Sequence, residues 1–480
     1  MIKGVIFDMD GVMIDTERQS TLGWLHAFEA HGSEIPMWLI NKFKGAPAHL
    51  SAEYFDEYFK GKFDYWQMRQ ERSDYVYELR KTEGVPVKYG LYTLLEAIRT
   101  RGLKCAVATS TQKQSAINSL TEIGAMSYLD AVVYGDEVEH GKPEPDIFLR
   151  AAEQIGVAPS ECIVIEDSIN GIKAGYAAGM RVVHVPDTME ITEDIARLTS
   201  VICHNLSQVV SVIDYWNGKD FKIDRQHVMD TFARYTSPYN VADPKIKLKI
   251  DHTYRVANLC ECIAEAQGLS DTDIDIAWLS GMLHDVGRFE QIRRYGTFSD
   301  ADSISHGELG ANILFRDGLI AAFVPELANL KGLDVWNILE HSIRQHSVYR
   351  LPEDMDEREK MFTNILRDAD KIDILRVNYE TGVESIYGVT TDEVRKCAVT
   401  EAVMEDFAKE HAVLRSFKKV PIDHVVGHIS LVFELVYPIS REIVMSQGYL
   451  DKLLNYPVEN EKAKEQFAVI REIMCKHLAS

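Results

Sequence analysis

The sequence predicts a doubly wound α/β domain with a parallel sheet and a helical cap insertion, followed by an all-α domain. Short apolar runs alternate with helical segments up to residue 216, and the stretch 15–84 interrupts them without any strand-like run. Such alternation is typical of a parallel sheet. From Arg225 onward, apolar residues recur at the three- and four-residue spacing of helices. We therefore assign 1–14 and 85–216 to the α/β core, 15–84 to the cap and 217–480 to the all-α domain.

Composition limits the possible functions and location. A chain of 480 residues is too long for one ordinary core. Its formal net charge of −22 argues against a nucleic-acid partner, because phosphate backbones bind positive surfaces. The seven cysteines lack zinc-ligand spacing and indicate reduced thiols. We see neither a signal peptide nor an apolar run that could span a bilayer, so we expect a cytoplasmic protein without a membrane partner.

The first strand ends in two acids. An apolar run at residues 4–7 leads directly to Asp8, and Asp10 follows before Gly11. Ligands of open α/β sheets bind at the carboxyl ends of strands, and residues spaced by two project to one side. Because burial of unpaired carboxylates is costly, the pair indicates a functional site. A solvated loop acid followed by a helix cap would also explain these residues.

Three later segments place polar side chains where strands end or helices begin. Thr109 and Ser110 follow a second strand, Lys142 lies in a turn that opens a helix, and Glu166 and Asp167 end another strand. The carboxyl ends of parallel strands meet at one crevice. Carboxylates, a hydroxyl and an ammonium group together suit phosphoryl transfer, in which acids also hold a hard cation. Each residue alone could instead be a helix cap or a surface charge.

These segments resemble the four motifs of the haloacid dehalogenase-like superfamily, and especially its β-phosphoglucomutase-like phosphatases, over residues 1–215. The resemblance implies that Asp8 is a nucleophile that forms an aspartyl-phosphate and that Asp10 is the general acid/base. It further implies that the cap closes over the substrate. The phosphate-binding residues would be Thr109, Ser110 and Lys142. The Mg²⁺ ligands would be Asp8, Asp10 through its main-chain carbonyl, and Asp167, with Glu166 in support.

The cap departs from that family at one loop. Lys44 and Gly45 resemble the substrate loop of the mutases, but no arginine follows at the expected place. That arginine would bind the distal phosphate of a bisphosphate through two parallel hydrogen bonds. Its absence favours a phosphatase, and a sugar-phosphate mutase is the alternative. His49 could replace the arginine or could be an ordinary surface histidine.

The all-α half contains an ordered set of histidines and aspartates in helical segments. The set consists of His252, His284 with Asp285, His306, His346 and Asp370. Helical bundles build metal sites from imidazoles and carboxylates that project inward. Any one of these histidines could be an ordinary core or surface residue, but the ordered set favours a metal site.

This order resembles the HD-domain metal-dependent phosphohydrolases over residues 245–380. The resemblance implies one metal on His252, His284, Asp285 and Asp370. It implies a second metal on His306 and His346, with Asp285 as the bridging ligand. The mixed donors favour one or two transition metals, Mn²⁺, Fe²⁺ or Ni²⁺, and a metal-bound hydroxide would attack phosphorus. His341 is a rival to His346. The candidate phosphate contacts, which could equally be a solvated basic cluster, are Arg288, Arg293, Arg294 and Lys371.

We therefore predict a bifunctional metal-dependent phosphohydrolase. The first half would hydrolyse a small phosphomonoester, and the second half would hydrolyse a phosphate ester such as a nucleotide. The expected partner is a small phosphorylated metabolite, either a sugar phosphate or a nucleotide, and a homo-oligomer stays open. The alternatives are a sugar-phosphate mutase joined to an HD domain and a chain in which one domain is a non-catalytic nucleotide sensor.

Overall fold

The computed structural model describes residues 1–43, 48–187, 191–218, 222–381 and 389–479. The chain divides near residue 220 into two compact units, and we describe each by itself. No helix among the described residues is both long and apolar enough to cross a membrane.

The first unit is built on a six-stranded sheet in the order β3-β2-β1-β4-β5-β6, and all pairs are parallel. The strands are β1 (Gly4–Phe7), β2 (Lys104–Thr109), β3 (Ala131–Tyr134), β4 (Cys162–Glu166), β5 (Arg181–His184) and β6 (Val201–Ile202). The order of the strands reverses between β1 and β4, which in such sheets is where ligands bind. Phe7 at the end of β1 pairs with Ile165 of β4, so Asp8 and Glu166 leave the sheet side by side at this point.

Helices cover this sheet, and five of those in the described residues lie between β1 and β2 in the chain. They are α1 (Thr16–Ala30), α2 (Met37–Phe43), α3 (Ala48–Phe59), α4 (Tyr65–Glu83), α5 (Leu91–Thr100), α6 (Lys113–Glu122), α7 (Asp146–Ile155), α8 (Ile169–Ala177), α9 (Glu193–Ala196) and α10 (Leu206–Trp216). Helices α1–α4 enclose an apolar cluster of their own around Trp24, Phe28 and Phe55. Asp15 and Asp64 accept hydrogen bonds from the first turns of α1 and α4, which fixes where these two helices begin.

The described secondary structure of the second unit is helical. Its α-helices are α11 (Arg225–Thr236), α12 (Pro244–Ala266), α13 (Asp271–Leu283), α14 (Val286–Tyr295), α15 (His306–Ala311), α16 (Ile320–Phe323), α17 (Asp334–Gln345), α18 (Glu357–Glu380), α19 (Thr391–Lys396), α20 (Glu401–Phe407), α21 (Pro421–Ile429), α22 (Pro438–Gln447), α23 (Tyr449–Leu454) and α24 (Glu461–Leu478). Helix α12 packs against α13 and α18, while α17 packs against α15 and α18.

Two glycines allow the helices of this bundle to approach closely. A Cβ atom at Gly281 of α13 would collide with the backbone of Ala257 in α12. One at Gly287 of α14 would collide with the main-chain oxygen of His306 in α15. These contacts bring the ends of α13 and α14 next to the helices on which the predicted metal ligands lie.

The predicted fold class is confirmed, since a parallel sheet with covering helices precedes an all-helical unit. Strand β6 was not predicted from the sequence. This strand has only two residues, Val201 and Ile202, so it is too short to show a period in the sequence.

Candidate active sites

Asp8 is the centre of the first candidate site. It follows β1 directly, is 7% exposed, and its main-chain N–H donates to the carbonyl of Ile165 in β4. Lys142 donates to Oδ1 of Asp8 and, at 2.6 Å, to Oε1 of Glu166. Burial raises the pKa of the Asp8 carboxyl, and the negative charges of Glu166 and Asp10 raise it further. The positive charge of Lys142 lowers this pKa but does not outweigh the other effects. The result is a buried carboxylate that is bound to one ammonium group.

Asp10 is held by two hydroxyl groups. Thr16 at the start of α1 donates to Oδ1 at 3.1 Å, and Thr111 donates to Oδ2 at 2.7 Å. Thr111 also donates its main-chain N–H to the buried hydroxyl of Thr109 at 3.0 Å. The carboxylate of Asp10 is therefore oriented by residues from the cap side and from the loop after β2. The structure thus brings Thr109 close to the pair of acids, while Ser110 is exposed.

Glu166 and Asp167 have different surroundings. Oε2 of Glu166 accepts from the main-chain N–H groups of Asp167 and Ser168 and from the Ser168 hydroxyl, while Oε1 accepts from Lys142. Both oxygens thus have donors, which suits a residue that positions Lys142. The Asp167 carboxylate lies against Gly11, where any Cβ would collide with it. Burial and then the charge of Glu166 raise the pKa of Asp167, so a cation would be stabilised there.

A further acid near this site was missed in the sequence. The carboxylate of Asp187 is almost buried, pairs with Lys88, and contributes negative charge that raises the pKa of Asp167. Its Oδ2 atom is buried without a hydrogen-bond partner among the described residues. Asp187 follows β5 by three residues, and its position after a strand was the one available signal.

The second candidate site lies where five helical elements meet in the second unit. His252 is in α12, His284 ends α13, Asp285 precedes α14, His306 begins α15 and His346 follows α17. All five are buried. Their ligand atoms form two groups, each within 4.8 Å, and Asp285 belongs to both.

Asp370 of α18 adds a carboxylate beside the first of these groups. Its Oδ1 lies 3.1 Å from Nε2 of His252 and 3.9 Å from Nε2 of His284. Burial and Lys249 lower the pKa of His252, but Asp370 and Asp373 outweigh them and raise it. The six ligands predicted from the sequence therefore lie in one cluster.

The hydrogen bonds of the histidines leave their Nε2 atoms for a ligand. Nδ1 lies 2.6 Å from Asp373 in His252, 2.7 Å from the carbonyl of Gly281 in His284 and 2.7 Å from the carbonyl of Ile343 in His346. These partners accept only, so each Nδ1 donates, and a neutral ring then has its lone pair on Nε2. The Nε2 atoms of His252 and His284 are buried and have no hydrogen bond of suitable geometry among the described residues, although Oδ1 of Asp370 lies 3.1 Å from Nε2 of His252.

The geometry of His306 and His346 fits a bound cation. Their Nε2 atoms are 2.9 Å apart, while Nδ1 of His306 donates to Asp300 at 2.7 Å. Burial, aided by the charge of Arg288, lowers the pKa of His306 to about 4, and burial beside His284 lowers that of His346 to about 4. Two neutral rings would thus direct lone pairs at each other, and these repel unless a cation lies between them. The donor set suits a divalent transition metal.

Two carboxylates that orient these histidines were missed in the sequence. Asp373 binds His252 and is itself bound by Arg255 at 2.6 and 2.9 Å. Asp300 binds His306 and accepts from Arg288 at 2.7 Å. Hydrogen bonds of this kind fix the orientation of metal ligands.

Cations also lie next to the bridging acid. Nζ of Lys249, which was not predicted, is 2.7 Å from Oδ2 of Asp285, and Nε of Arg288 is 3.6 Å from Oδ1. Burial raises the pKa of Asp285, but Lys249 and the histidines outweigh it, so its pKa is well below the usual range. Lys249 precedes His252 by three residues on α12, so helical spacing could have identified it.

Other predicted residues are not members of the metal-ligand groups. His341 pairs with Glu359 at 2.5 Å and is not in the metal-ligand groups, unlike His346. Arg293 and Arg294 pair with Glu290, and burial lowers the pKa of Lys371 to about 8. In the cap, His49 is exposed, while Lys44 and Gly45 lie outside the described residues.

Two family models match the chain. The model described as haloacid dehalogenase-like hydrolase matches residues 5–185, and the model of the HD domain matches residues 250–377. The first range contains the site around Asp8, and the second contains the cluster around Asp285. Both resemblances that the motifs indicated are therefore confirmed.

Similar proteins cover part of the chain. Fructose-1-phosphate phosphatase YqaB of Escherichia coli (strain K12) is 32% identical over 184 residues, 38% of this chain and 95% of that protein. The phosphorylated carbohydrates phosphatase of Thermotoga maritima is 31% identical over 182 residues, 37% of this chain and 82% of that protein. Among solved structures, β-phosphoglucomutase from Clostridium difficile is 25% identical with a TM-score of 0.37, covering 46% of this chain and 97% of that one.

Proposed function

Because the chain belongs to the haloacid dehalogenase-like hydrolases, we propose that its first unit hydrolyses a small phosphomonoester through an aspartyl-phosphate. The observation that carries this proposal is the position of Asp8 at the reversal of strand order, with Lys142 on its Oδ1 atom. An oxygen of Asp8 attacks phosphorus, and the ester oxygen leaves with a proton from Asp10. Asp10 then takes a proton from the water that hydrolyses the aspartyl-phosphate.

The side chains around these acids have separate roles in this proposal. Lys142 binds an oxygen of the transferring phosphoryl group, and Glu166 holds the lysine in place through its own contact of 2.6 Å. Thr16 and Thr111 keep the Asp10 carboxylate directed toward the leaving oxygen. Thr109 donates its hydroxyl to the phosphoryl group.

Haloacid dehalogenase-like domains and HD domains generally use divalent metal ions. We propose Mg²⁺ in the first site, held by the carboxylates of Asp8 and Asp167 and the main-chain carbonyl of Asp10, since it prefers oxygen ligands. Such an ion supplies positive charge that offsets the negative charge of the phosphate. The raised pKa values of Asp8 and Asp167 support this assignment, because burial and the neighbouring acids both disfavour their negative charge and a bound cation would offset it.

In the second unit we propose hydrolysis of a phosphate ester by water. His252, His284, Asp285 and Asp370 would hold one ion and His306 and His346 a second, with Asp285 shared. The imidazole donors favour Mn²⁺, Fe²⁺ or Ni²⁺, and such ions activate water and stabilise charge on phosphate. Lys249 and Arg288, which contact or approach Asp285, would bind phosphate oxygens.

Two relatives support a proposal for the substrate class of the first unit. They are named for phosphatase activity on fructose 1-phosphate and on phosphorylated carbohydrates. We therefore propose a phosphorylated sugar or polyol for the first unit. For the second unit, a nucleotide or another phosphorylated metabolite fits the metal cluster equally well.

The test is a screen of phosphorylated metabolites with the full-length protein, with Mg²⁺ and with Mn²⁺, in which released phosphate is measured. Asp8→Asn should remove one set of activities and leave the other, and Asp285→Asn should do the reverse. If Asp8→Asn leaves every one of these activities unchanged, the covalent mechanism is contradicted. If Asp285→Asn changes no turnover, the second unit is a binding domain.

A further inference from the structure

The four cap helices enclose a cavity of about 90 Å³ that carries an excess of positive charge. It is lined by Arg69 and Arg72 of α4, which are three residues apart and so share a helix face. Among the described residues that line it, Glu17 of α1 is the one acid. A cavity of only about 10–15 Å³ can hold one water molecule. A cavity of about 90 Å³ therefore has room for a larger polar or charged group.

The guanidinium group of Arg72 has unused binding capacity. Its Cζ atom lies 5.7 Å from the ring centroid of Trp24, and its Nε atom is buried without a hydrogen-bond partner among the described residues. Burial, followed by the charge of Arg69, lowers the pKa of Arg72. An arginine stays charged in proteins, so a buried N–H donor without an acceptor is costly here.

The distance from the acids of the first site to the cavity is comparable with the length of a small phosphate ester. Thr16, which binds Asp10, begins α1, and Ser20 and Trp24 line the cavity one and two helical turns further along the same face. At a rise of about 1.5 Å per residue, these positions lie about 6 and 12 Å from Thr16 along the helix axis. A small phosphate ester that is attacked at Asp8 would therefore extend into the cavity.

We propose that this cavity binds an anionic group, a second phosphate or a carboxylate, at the far end of the phosphomonoester. Arg69 and Arg72 would then perform from α4 the task for which the loop after residue 43 has no arginine. The inference rests on the proposed phosphatase activity of the first unit. It narrows the substrate class to phosphate esters with a second negative charge.

The experiment compares initial phosphate release from two matched pairs of esters by the full-length protein with Mg²⁺. One pair is glucose 1-phosphate and glucose 1,6-bisphosphate, and the other is glycerol 3-phosphate and 3-phosphoglycerate. In at least one pair, kcat/KM should be about 10- to 100-fold higher for the ester with the additional charge, as expected for charge-assisted hydrogen bonds. Arg72→Met should remove most of this preference.

Two further variants serve as controls. One tests whether the loss of preference depends on the folding of a single variant, and the other tests whether any loss of positive charge has the same effect. Arg69→Met should also reduce the preference, so the test does not depend on how well Arg72→Met folds. Arg18→Met removes one positive charge from an exposed position on α1 and should keep the full preference. Equal kcat/KM within both pairs, or the same preference in Arg72→Met and wild type, would overturn the inference. Absence of turnover with all four esters would instead refute the proposed phosphatase activity.

Discussion

Replacement of Asp373 with asparagine should weaken metal binding in the second unit although Asp373 is not a proposed ligand. The carboxylate is 2% exposed and accepts from Nδ1 of His252 at 2.6 Å and from two nitrogens of Arg255 at 2.6 and 2.9 Å. The negative charge of Asp373 keeps the proton of the His252 ring on Nδ1, so that Nε2 offers its lone pair to a metal ion. Asparagine has almost the same size but lacks the charge, and its NH₂ group would oppose one of the present donors.

The expected loss can be estimated from these contacts. Removal of a hydrogen-bonding partner from a metal-bound histidine costs about 10- to 100-fold in metal affinity, or about 1.4–2.8 kcal/mol. The uncompensated Arg255 should also lower the free energy of unfolding by about 1–3 kcal/mol. Calorimetric titration of the full-length protein with Mn²⁺ measures the first quantity, and denaturant unfolding of the metal-free protein measures the second.

A matched control is available in the same unit. Glu359 pairs with Nδ1 of His341 at 2.5 Å, which is a similar histidine–carboxylate contact outside the metal-ligand groups. Glu359→Gln should therefore bind Mn²⁺ as the wild type does. If Asp373→Asn and Glu359→Gln have the same Mn²⁺ affinity, Asp373 does not position His252 for a metal.

Three other results are expected. His306→Ala should reduce the bound transition metal from two ions to one by elemental analysis of the protein, whereas His341→Ala should keep both. Lys249→Met should raise the Mn²⁺ affinity, because an ammonium group no longer competes for the bridging carboxylate, and should weaken inhibition by inorganic phosphate about tenfold. Mg²⁺ affinity of the first site should rise with pH, because burial raises the pKa of Asp8 and Asp167 and the ion must displace their protons. Calorimetry in buffers of different ionisation enthalpy would detect this proton release, and a pH-independent affinity would contradict it.

The sequence predicted the sheet because its signals are local. Each strand except β6 is a run of mainly apolar residues, and Asp8 and Glu166 lie at the ends of two such runs. The strand order that makes these two residues neighbours follows from the parallel topology. The histidine set could likewise be found, since its order along the chain is distinctive without knowledge of any contact.

The supporting residues could not be found in this way, because they are defined by contacts between distant segments. Asp373 binds a histidine that lies 121 residues earlier, and no spacing in the sequence connects the two. Asp300 lies six residues before His306, but it begins a separate 3₁₀ helix of three residues, so helical periodicity gave no signal. Arg72 resembles any basic residue of an amphipathic helix until the packing of α1 and α4 places it at the cap cavity.

The two sites meet the charge of a phosphate group with different donors, and this difference has a consequence for metal selection. The first site offers carboxylates and a carbonyl beside Lys142, which suits a hard ion that keeps part of its water shell. The second offers four imidazoles whose Nδ1 protons are held by oxygen atoms, which suits ions with affinity for nitrogen. Mg²⁺ prefers oxygen ligands and is a poor match for the four imidazoles, so the proposed activity of the second unit should require a transition metal. Mg²⁺ alone should therefore support only the proposed activity of the first unit.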